Sequence, residues 1–557
     1  MNPQQSYRIG WILLILVILA GIGLRWPTPA DEPRFALIAK EMVETGQWLI
    51  PHRVGELYPD KPPVFMWAIA ALIALKIPLK VAFLLPSALA ALGTAWLTVD
   101  LSRRLFGAAV ATQTLWLLGF TLQFTLQAKT AQIDMMEVFW LTLCGYGLLR
   151  HLLLGPDWRW YWIGFAAAGV GVLTKGVGFL SLFLLLPLLW RPDLRARMSA
   201  RGWLGPVVML AVVGVWVLPM LWYVATSSNP EVLAYRNDIL INQTANRYVH
   251  ALGHEKGWYY YLVEVIPILW LPMVLLVPFV AGHWWRERAR PDVLLPLVTV
   301  LGIVVFFTLS PGKRGVYLTP ALPWLALAIA PFLDRAMARR WCVRLWNALM
   351  WLLAGAVLAA AAVPQVYERA GAPGVVVLAV SGLAMLAVLA LTRGVVPWQR
   401  WGMAIAALWL GYSLLGPRAT DPLRTPIDIM QQASMRMGPE GKLALVHYRE
   451  QFALFADRPV VQFGYHTSLS AQRAAARDWV LTGPQYFVLG PGAALERCFA
   501  LSGQQALGSR HGKDWYLVDA GQLQPGCEPG VKPAPRYQGP DYGIVSFGAG
   551  SSHAVTP

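Results

Sequence analysis

Two adjacent carboxylates, Asp31 and Glu32, open the stretch "TPADEPRFALIAKEMVETGQW", and a second acidic pair, Asp134 and Glu137, stands behind Lys129 in "KTAQIDMMEVFW". Between and after them come cations: Lys61 with Tyr58 in "YPDKPPVFMW", Lys175 in "LTKG", Arg247 in "TANRYVH", and Lys313 with Arg314 in "LSPGKRGVYLTP". Separated carboxylates and cations suit a site that gathers phosphates, with the cations meeting the anion and a carboxylate available for catalysis beside it. That chemistry requires the groups to face one compartment, so their meaning depends on the elements that carry them.

The 557 residues are 57% hydrophobic and 14% charged, with 27 Trp, which is more apolar surface than one soluble core can hide. The class is a polytopic α-helical membrane protein. The net charge of +16 comes largely from arginines in short loops between apolar runs, which fits topology signals and anionic lipid rather than nucleic acid. Apolar runs near 9–25, 80–100, 106–124, 131–153, 160–173, 176–190, 205–224, 261–282, 292–309, 315–333, 343–363, 373–391 and 398–416 predict about thirteen spans. The first has no small-x-small site before Arg25 and Trp26 and reads as an uncleaved span. Loops at Arg103, Arg150, Arg191, Arg286, Arg335 and Arg393 alternate with loops of other composition, and the positive-inside rule places them in the cytoplasm. The run 62–77 would break this alternation, and it covers only ~24 Å of a ~30 Å hydrocarbon core. It is expected to lie at the outer interface. The first outer loop, 26–79, and the tail from 417 then face outward, and Lys61 with them.

Each of these residues also has a structural reading. Phe35, Ile38, Ala39 and Met42 repeat at helical spacing, so residues 32–45 predict an amphipathic helix on the membrane surface with Pro33 in its first turn. Asp31 is then either its N-cap or a catalytic carboxylate, and Glu32 is surplus to a cap. Asp134 precedes almost uncharged sequence and is placed a turn inside the membrane edge, where an ionisable group points to function. Lys61 either snorkels and pairs with Asp60 or meets a lipid phosphate, to which Tyr58 adds a hydroxyl donor. Lys175, Arg247, Lys313 and Arg314 could each anchor a helix end at headgroups. Together they form an outward cationic set against the usual sign bias, as a phosphate-gathering site would require.

Composition changes after Gly416-Pro417, and "KLALVHY", "QYFVLG" and "DWYLVDA" read as strands between Gly, Pro and charged segments. The expected division is a membrane domain over 1–416 and a small α/β domain over 417–557, irregular from about 524. There is no internal repeat and no Gly-rich nucleotide loop, so a soluble nucleotide-sugar donor has no cradle. Cys144 lies in an apolar run and Cys342 in a basic loop. Cys498 and Cys527, in the tail, are the pair suited to a disulfide in an oxidising compartment, with free thiols as the alternative.

The "DE" pair before an amphipathic helix, "YPDKPP", "QID", "LTKG" and "KRGVYLTP" closely resemble motifs of the GT-C lipid-linked glycosyltransferases related to protein O-mannosyltransferases. Within that superfamily the resemblance is to the aminoarabinose transferases of Gram-negative inner membranes. It runs through motifs over the first 335 residues and through layout beyond them. It implies a GT-C fold with periplasmic juxtamembrane helices, in a multi-pass inner-membrane monomer whose active site and C-terminal domain face the periplasm. The implied donor is 4-amino-4-deoxy-L-arabinose on undecaprenyl phosphate, the acceptor a lipid A phosphate, and the outcome resistance to polymyxin and cationic peptides. Asp31 is implied as the leading catalytic carboxylate and Asp134 as the supporting one, with Glu32 beside them. Lys61, Tyr58, Arg34 and Arg247 are implied at the donor phosphate, and Lys175, Lys313, Arg314 and Tyr317 at the acceptor phosphate or substrate. His52, His250 and His254 are scattered and no cluster has metal-ligand spacing, so the expected reaction uses no metal and no cofactor. The alternatives are a protein O-mannosyltransferase with a hydroxyl acceptor and a lipid transporter, which would show repeats or broken helix pairs at the midplane.

Overall fold

The computed structural model describes residues 2–240, 255–525, 527, 534–545 and 547. The chain divides into two compact units, one of Met1–Ile22, Pro59–Phe65 and Leu84–Gly416, the other of Gly23–Tyr58, Met66–Phe83 and Pro417–Pro557.

The first unit is built from helices. Among the described residues of the whole chain, six helices are long and apolar enough to cross a membrane: Leu79–Phe106, Ala200–Thr226, Pro291–Leu309, Gly315–Met337, Arg340–Ala360 and Pro364–Leu391. The bent pair Tyr261–Leu269 and Met273–Arg286, at 103°, makes a seventh if it counts as one span. The predicted spans near 9–25, 106–124 and 176–190 correspond to shorter apolar helices, Pro3–Leu19, Ala108–Gly119 and Gly178–Leu189. A run of apolar residues does not reveal where a helix breaks. Gly107, at φ 91°, turns the chain between Leu85–Phe106 and Ala108–Gly119, and Gly178–Leu189 contains Pro187 and winds as a 3-10 helix. Helix Val64–Ala74 has 11 residues, about 16 Å of rise, too short to cross.

Helices Ile133–Leu149 and Trp158–Lys175 approach to backbone contact. A methyl group on Gly147 would sit 2.2 Å from Trp160 O, and one on Gly164 2.9 Å from Cys144 O. Glycine is what permits this approach, and it fixes the first turn of one helix beside the last turn of the other.

The second unit begins in the first loop. Helix Glu32–Thr45 buries Phe35, Ile38, Ala39 and Met42, the positions of the helical repeat, and ends at Gly46 in the left-handed conformation. The hairpin β1 (His52–Arg53) and β2 (Glu56–Leu57) follows. The tail supplies β3 (Lys442–Leu445), β4 (Val460–Gln462), β5 (Tyr486–Pro491), β6 (Gly508–Arg510), β7 (Lys513–Val518) and β8 (Tyr537–Gln538), in the order β6-β7-β5-β3-β4-β8. β3 is parallel to β4 and β5, whereas β7 and β8 are antiparallel to β5 and β4. Ala476, Trp479 and Val480 of helix Leu469–Val480 join Val446, Val461, Val488 and Val518 in the core beneath the sheet, and Cys498 is bridged to Cys527. The three predicted strand runs are β3, β5 and β7. The stretch expected to be irregular supplies an edge strand, β8, and a buried Tyr542.

Candidate active site

In the first unit, Asp134 stands in the first turn of Ile133–Leu149 and Lys175 ends Trp158–Lys175. Each charge complements the dipole of its own helix end. Lys175 Nζ donates to Asp134 Oδ1 at 2.5 Å, with the two side chains 11% and 8% exposed. The same ammonium lies 4.4 Å from the centroid of the Tyr317 ring, a cation–π contact. Tyr317 is placed by Gln123, whose Nε2 donates to Gly315 O at 2.7 Å and to Thr319 Oγ1 at 3.0 Å. Glu137, three residues beyond Asp134 and 1% exposed, has no hydrogen-bond partner on either carboxylate oxygen among the described residues. The cluster therefore offers two carboxylates, one ammonium and a phenol, groups that can orient sugar hydroxyls or an amine and neutralise a phosphate oxygen.

Two loop cations have helix-end partners. Lys313 Nζ donates to Ser310 O at 2.6 Å, closing the carbonyl end of Pro291–Leu309, and its burial lowers the pKa of the ammonium. Lys129 Nζ likewise donates to Val17 O and Ala20 O, at 2.6 and 2.7 Å, behind helix Pro3–Leu19.

In the second unit, Asp31 occupies the N-cap position of Glu32–Thr45, yet its side chain makes no capping hydrogen bond. It faces Arg34 Nη1 at 3.7 Å instead. Glu32 is gripped by Arg25, which donates from Nη1 and Nη2 at 2.5 and 2.6 Å, and by Thr28 N at 2.9 Å. This carboxylate braces the turn into the helix. Arg34 Nε donates to Glu450 Oε1 at 2.6 Å, and Arg53 Nη1 lies 3.7 Å from the same oxygen. Burial works against the charge on Arg34, but Glu450, Tyr58 and Tyr465 outweigh it and hold the pKa of the guanidinium above its ordinary value. The Arg53 guanidinium rests 3.7 Å from the centroid of Tyr465 and 5.3 Å from that of Tyr58. Glu41 accepts from Val54 N at 2.9 Å, Gly55 N at 2.7 Å and Tyr542 Oη at 3.1 Å. Burial pushes its pKa up to about 7 against the pull of these bonds.

Of the predicted residues, Asp134, Lys175 and Tyr317 come together in the first unit, where Lys61 and Arg314 are half-buried. Asp31, Glu32, Arg34 and Tyr58 belong to the second unit, and Arg247 lies outside the described residues. Sequence reasoning named no role for Glu137, Arg53 or Glu450. The i, i+3 spacing from Asp134 was the available signal for Glu137; Glu450, 416 residues from Arg34, carried none. Among the described residues no three His, Cys, Asp or Glu side chains are grouped to hold a metal ion.

Residues 60–223 match the family of dolichyl-phosphate-mannose-protein mannosyltransferases. The chain is 29% identical over 363 residues to the undecaprenyl phosphate-alpha-4-amino-4-deoxy-L-arabinose arabinosyl transferase 1 of Pseudomonas fluorescens, an alignment covering 62% of this chain and 64% of that relative. It is 28% identical over 524 residues, 86% of this chain and 91% of the relative, to the Pseudomonas paraeruginosa protein named as an arabinosyl transferase of the same kind. Its fold matches the crystal structure of ArnT from Cupriavidus metallidurans bound to undecaprenyl phosphate with a TM-score of 0.73 at 21% identity, over 94% of this chain and 98% of that one. Fold and sequence together make this chain similar to membrane glycosyltransferases that use polyprenyl-phosphate-linked sugars. Within that class, the proteins that this chain resembles are the aminoarabinose transferases.

Proposed function

We propose that this glycosyltransferase moves 4-amino-4-deoxy-L-arabinose from undecaprenyl phosphate to a phosphate of lipid A, at the periplasmic face of a bacterial inner membrane, and so confers resistance to polymyxin and cationic peptides. The reading is carried by one observation: an ammonium and a carboxylate held at 2.5 Å beside the Tyr317 ring, in a chain whose relatives bear that name.

In the transfer, an oxygen of the acceptor phosphate bonds to the anomeric carbon as the bond from that carbon to the donor phosphate breaks, and undecaprenyl phosphate leaves with the electron pair. Lys61 neutralises the charge growing on the departing phosphate, and Arg34, Tyr58 and Arg247 are assigned to the same anion. The acceptor phosphate, with a second pKa of about 6 by analogy with phosphoserine, is already nucleophilic near neutral pH. Asp31 therefore has no proton to take and instead orients the sugar or steadies positive charge at the anomeric carbon. Asp134 holds the sugar's ammonium, and Lys175, Tyr317 and Arg314 serve the substrate's hydroxyls and phosphate. Glu32 braces the loop.

The match of residues 60–223 to the mannosyltransferase family favours a second reading, transfer of a polyprenyl-linked sugar to a protein hydroxyl. There Asp31 would act as general base. The deciding experiment is mass spectrometry of lipid A from transferase-deficient cells expressing the chain, beside K61A at an equal membrane level. One added aminopentose with the parent, absent in the variant, supports the lipid A reading. No increment from folded protein with the donor present sinks it and turns the search to modified secreted proteins.

A further inference from the structure

The tail does more than follow the membrane helices: it carries the partner of a residue assigned to the donor phosphate. Glu450 is the first residue of helix Glu450–Leu454, which begins five residues beyond the end of β3, and its side chain is 6% exposed. Its Oε1 accepts from Arg34 Nε at 2.6 Å and lies 3.7 Å from Arg53 Nη1. Arg34 Nη1 is also 3.7 Å from Asp31 Oδ1. One guanidinium thus stands between two carboxylates, bonded closely to Glu450 and loosely to Asp31. A charge-assisted hydrogen bond is stronger than a contact at 3.7 Å, so the position of Arg34 is set from the tail.

We propose that Glu450 is a positioning residue for the transfer, holding Arg34 in place and keeping that guanidinium from closing onto Asp31. Without the Glu450 charge, Asp31 is the carboxylate left beside Arg34, and the two would pair tightly, masking both from substrate. The surroundings support the role. Tyr465, in the loop after β4, stacks on Arg53 at 3.7 Å, so the second cation facing Glu450 is also fixed by the tail. Loops at the carboxyl ends of parallel strands are where doubly wound sheets hold ligands; here the loops after β3 and β4 hold the arginines of the first loop. Two more bridges make the sheet a base for that loop: Glu56 accepts from Gln462 Nε2 at 3.2 Å and Tyr465 N at 3.0 Å, and Tyr542 Oη donates to Glu41 at 3.1 Å. A hairpin as short as β1–β2 is not stable by itself. The inference rests on the proposed roles of Asp31 and Arg34.

The test uses the full chain in lipid nanodiscs, with E450Q, E450D, R34Q and the double variant E450Q/R34Q, measuring kcat, KM for the undecaprenyl-linked donor, and Tm. E450Q keeps the shape and loses the charge. The expected result is a kcat lowered about tenfold or more in E450Q, partial recovery in E450D, and a double variant no worse than R34Q, because Glu450 acts through Arg34. Wild-type kcat and KM in a folded E450Q, or additive losses in the double variant, overturn the proposal. If E450Q does not fold, E450D carries the same comparison with R34Q. A parent that transfers no aminopentose sinks the proposed reaction alone; the same cycle is then read on binding of undecaprenyl phosphate, where additive losses, or a parent that binds none, overturn the positioning role.

Discussion

Lys175 and Asp134 meet at 2.5 Å where the last turn of Trp158–Lys175 lies beside the first turn of Ile133–Leu149, the far end of the helix pair from Gly147, where a methyl group would sit 2.2 Å from Trp160 O. The glycines close the helix pair at one end and the ion pair joins it at the other, where a methyl group on Gly171 would sit 3.6 Å from Glu137 Oε2. Glu137, one turn along, adds a second carboxylate to the same corner.

Neutralising either partner of this pair leaves the other charge in a largely buried place. D134N and K175M should each lower stability, by roughly 3–5 kcal/mol where the remaining group stays desolvated, with K175M leaving Asp134 three residues from Glu137. D134N/K175M removes both charges and should regain part of that loss. Thermal unfolding in nanodiscs checks this, and a double variant less stable than both singles would show that the pair is not the unit.

Asp31 and Glu32 are neighbours with opposite expected phenotypes. D31N should abolish transfer and lower Tm less than E32Q does, because the Asp31 side chain makes no capping hydrogen bond and lies 3.7 Å from Arg34. E32Q loses half of the Arg25 fork and should lower stability by roughly 1.5–3 kcal/mol. Transfer assays beside melting curves separate them. An active D31N would return Asp31 to the task of shaping the helix start.

The parts of the fold that rest on local pattern were legible. The repeat of Phe35, Ile38 and Met42 marked helix Glu32–Thr45, and Gly-bounded apolar runs marked β3, β5 and β7. Asp134, Lys175 and Tyr317 stood out in the sequence because ionisable groups at a membrane edge are few, and the fold brings the three side chains together. What was not legible depends on distant pairing. The hydrogen bond from Lys313 to Ser310 O is a pairing that the loop sequence leaves open. Glu450 sits in an ordinary surface-like stretch, and only the fold places it on Arg34. β8 has two residues and exists because β4 offers an edge.

The Cys498–Cys527 bridge closes a loop with a sequence separation of 29 around the sheet core. C498S/C527S should lower the stability of the α/β unit by roughly 2–4 kcal/mol. The parent, melted with and without a thiol reductant, should show the same difference, whereas a reductant-insensitive Tm would mean that the core packing of Trp479 and Val518 suffices by itself.

Glu41 makes the second unit sensitive to pH. Its folded pKa is pushed by burial from 4.5 up to about 7, so between those values the folded chain holds a proton that the unfolded chain has released. Stability is therefore greatest at the acid end of that window and falls as pH rises through it, by about 3 kcal/mol at most. Asp421, pushed by burial to about 6, leans the same way. E41Q cannot ionise, and although it gives up one of the two oxygens that now accept from Val54 and Gly55, it should remove most of the slope. The measurement is the unfolding midpoint of parent and E41Q at intervals between about pH 4.5 and 8. A flat parent profile, or a slope that survives in E41Q, would mean that the three donors around Glu41 hold it as a carboxylate and outweigh the burial.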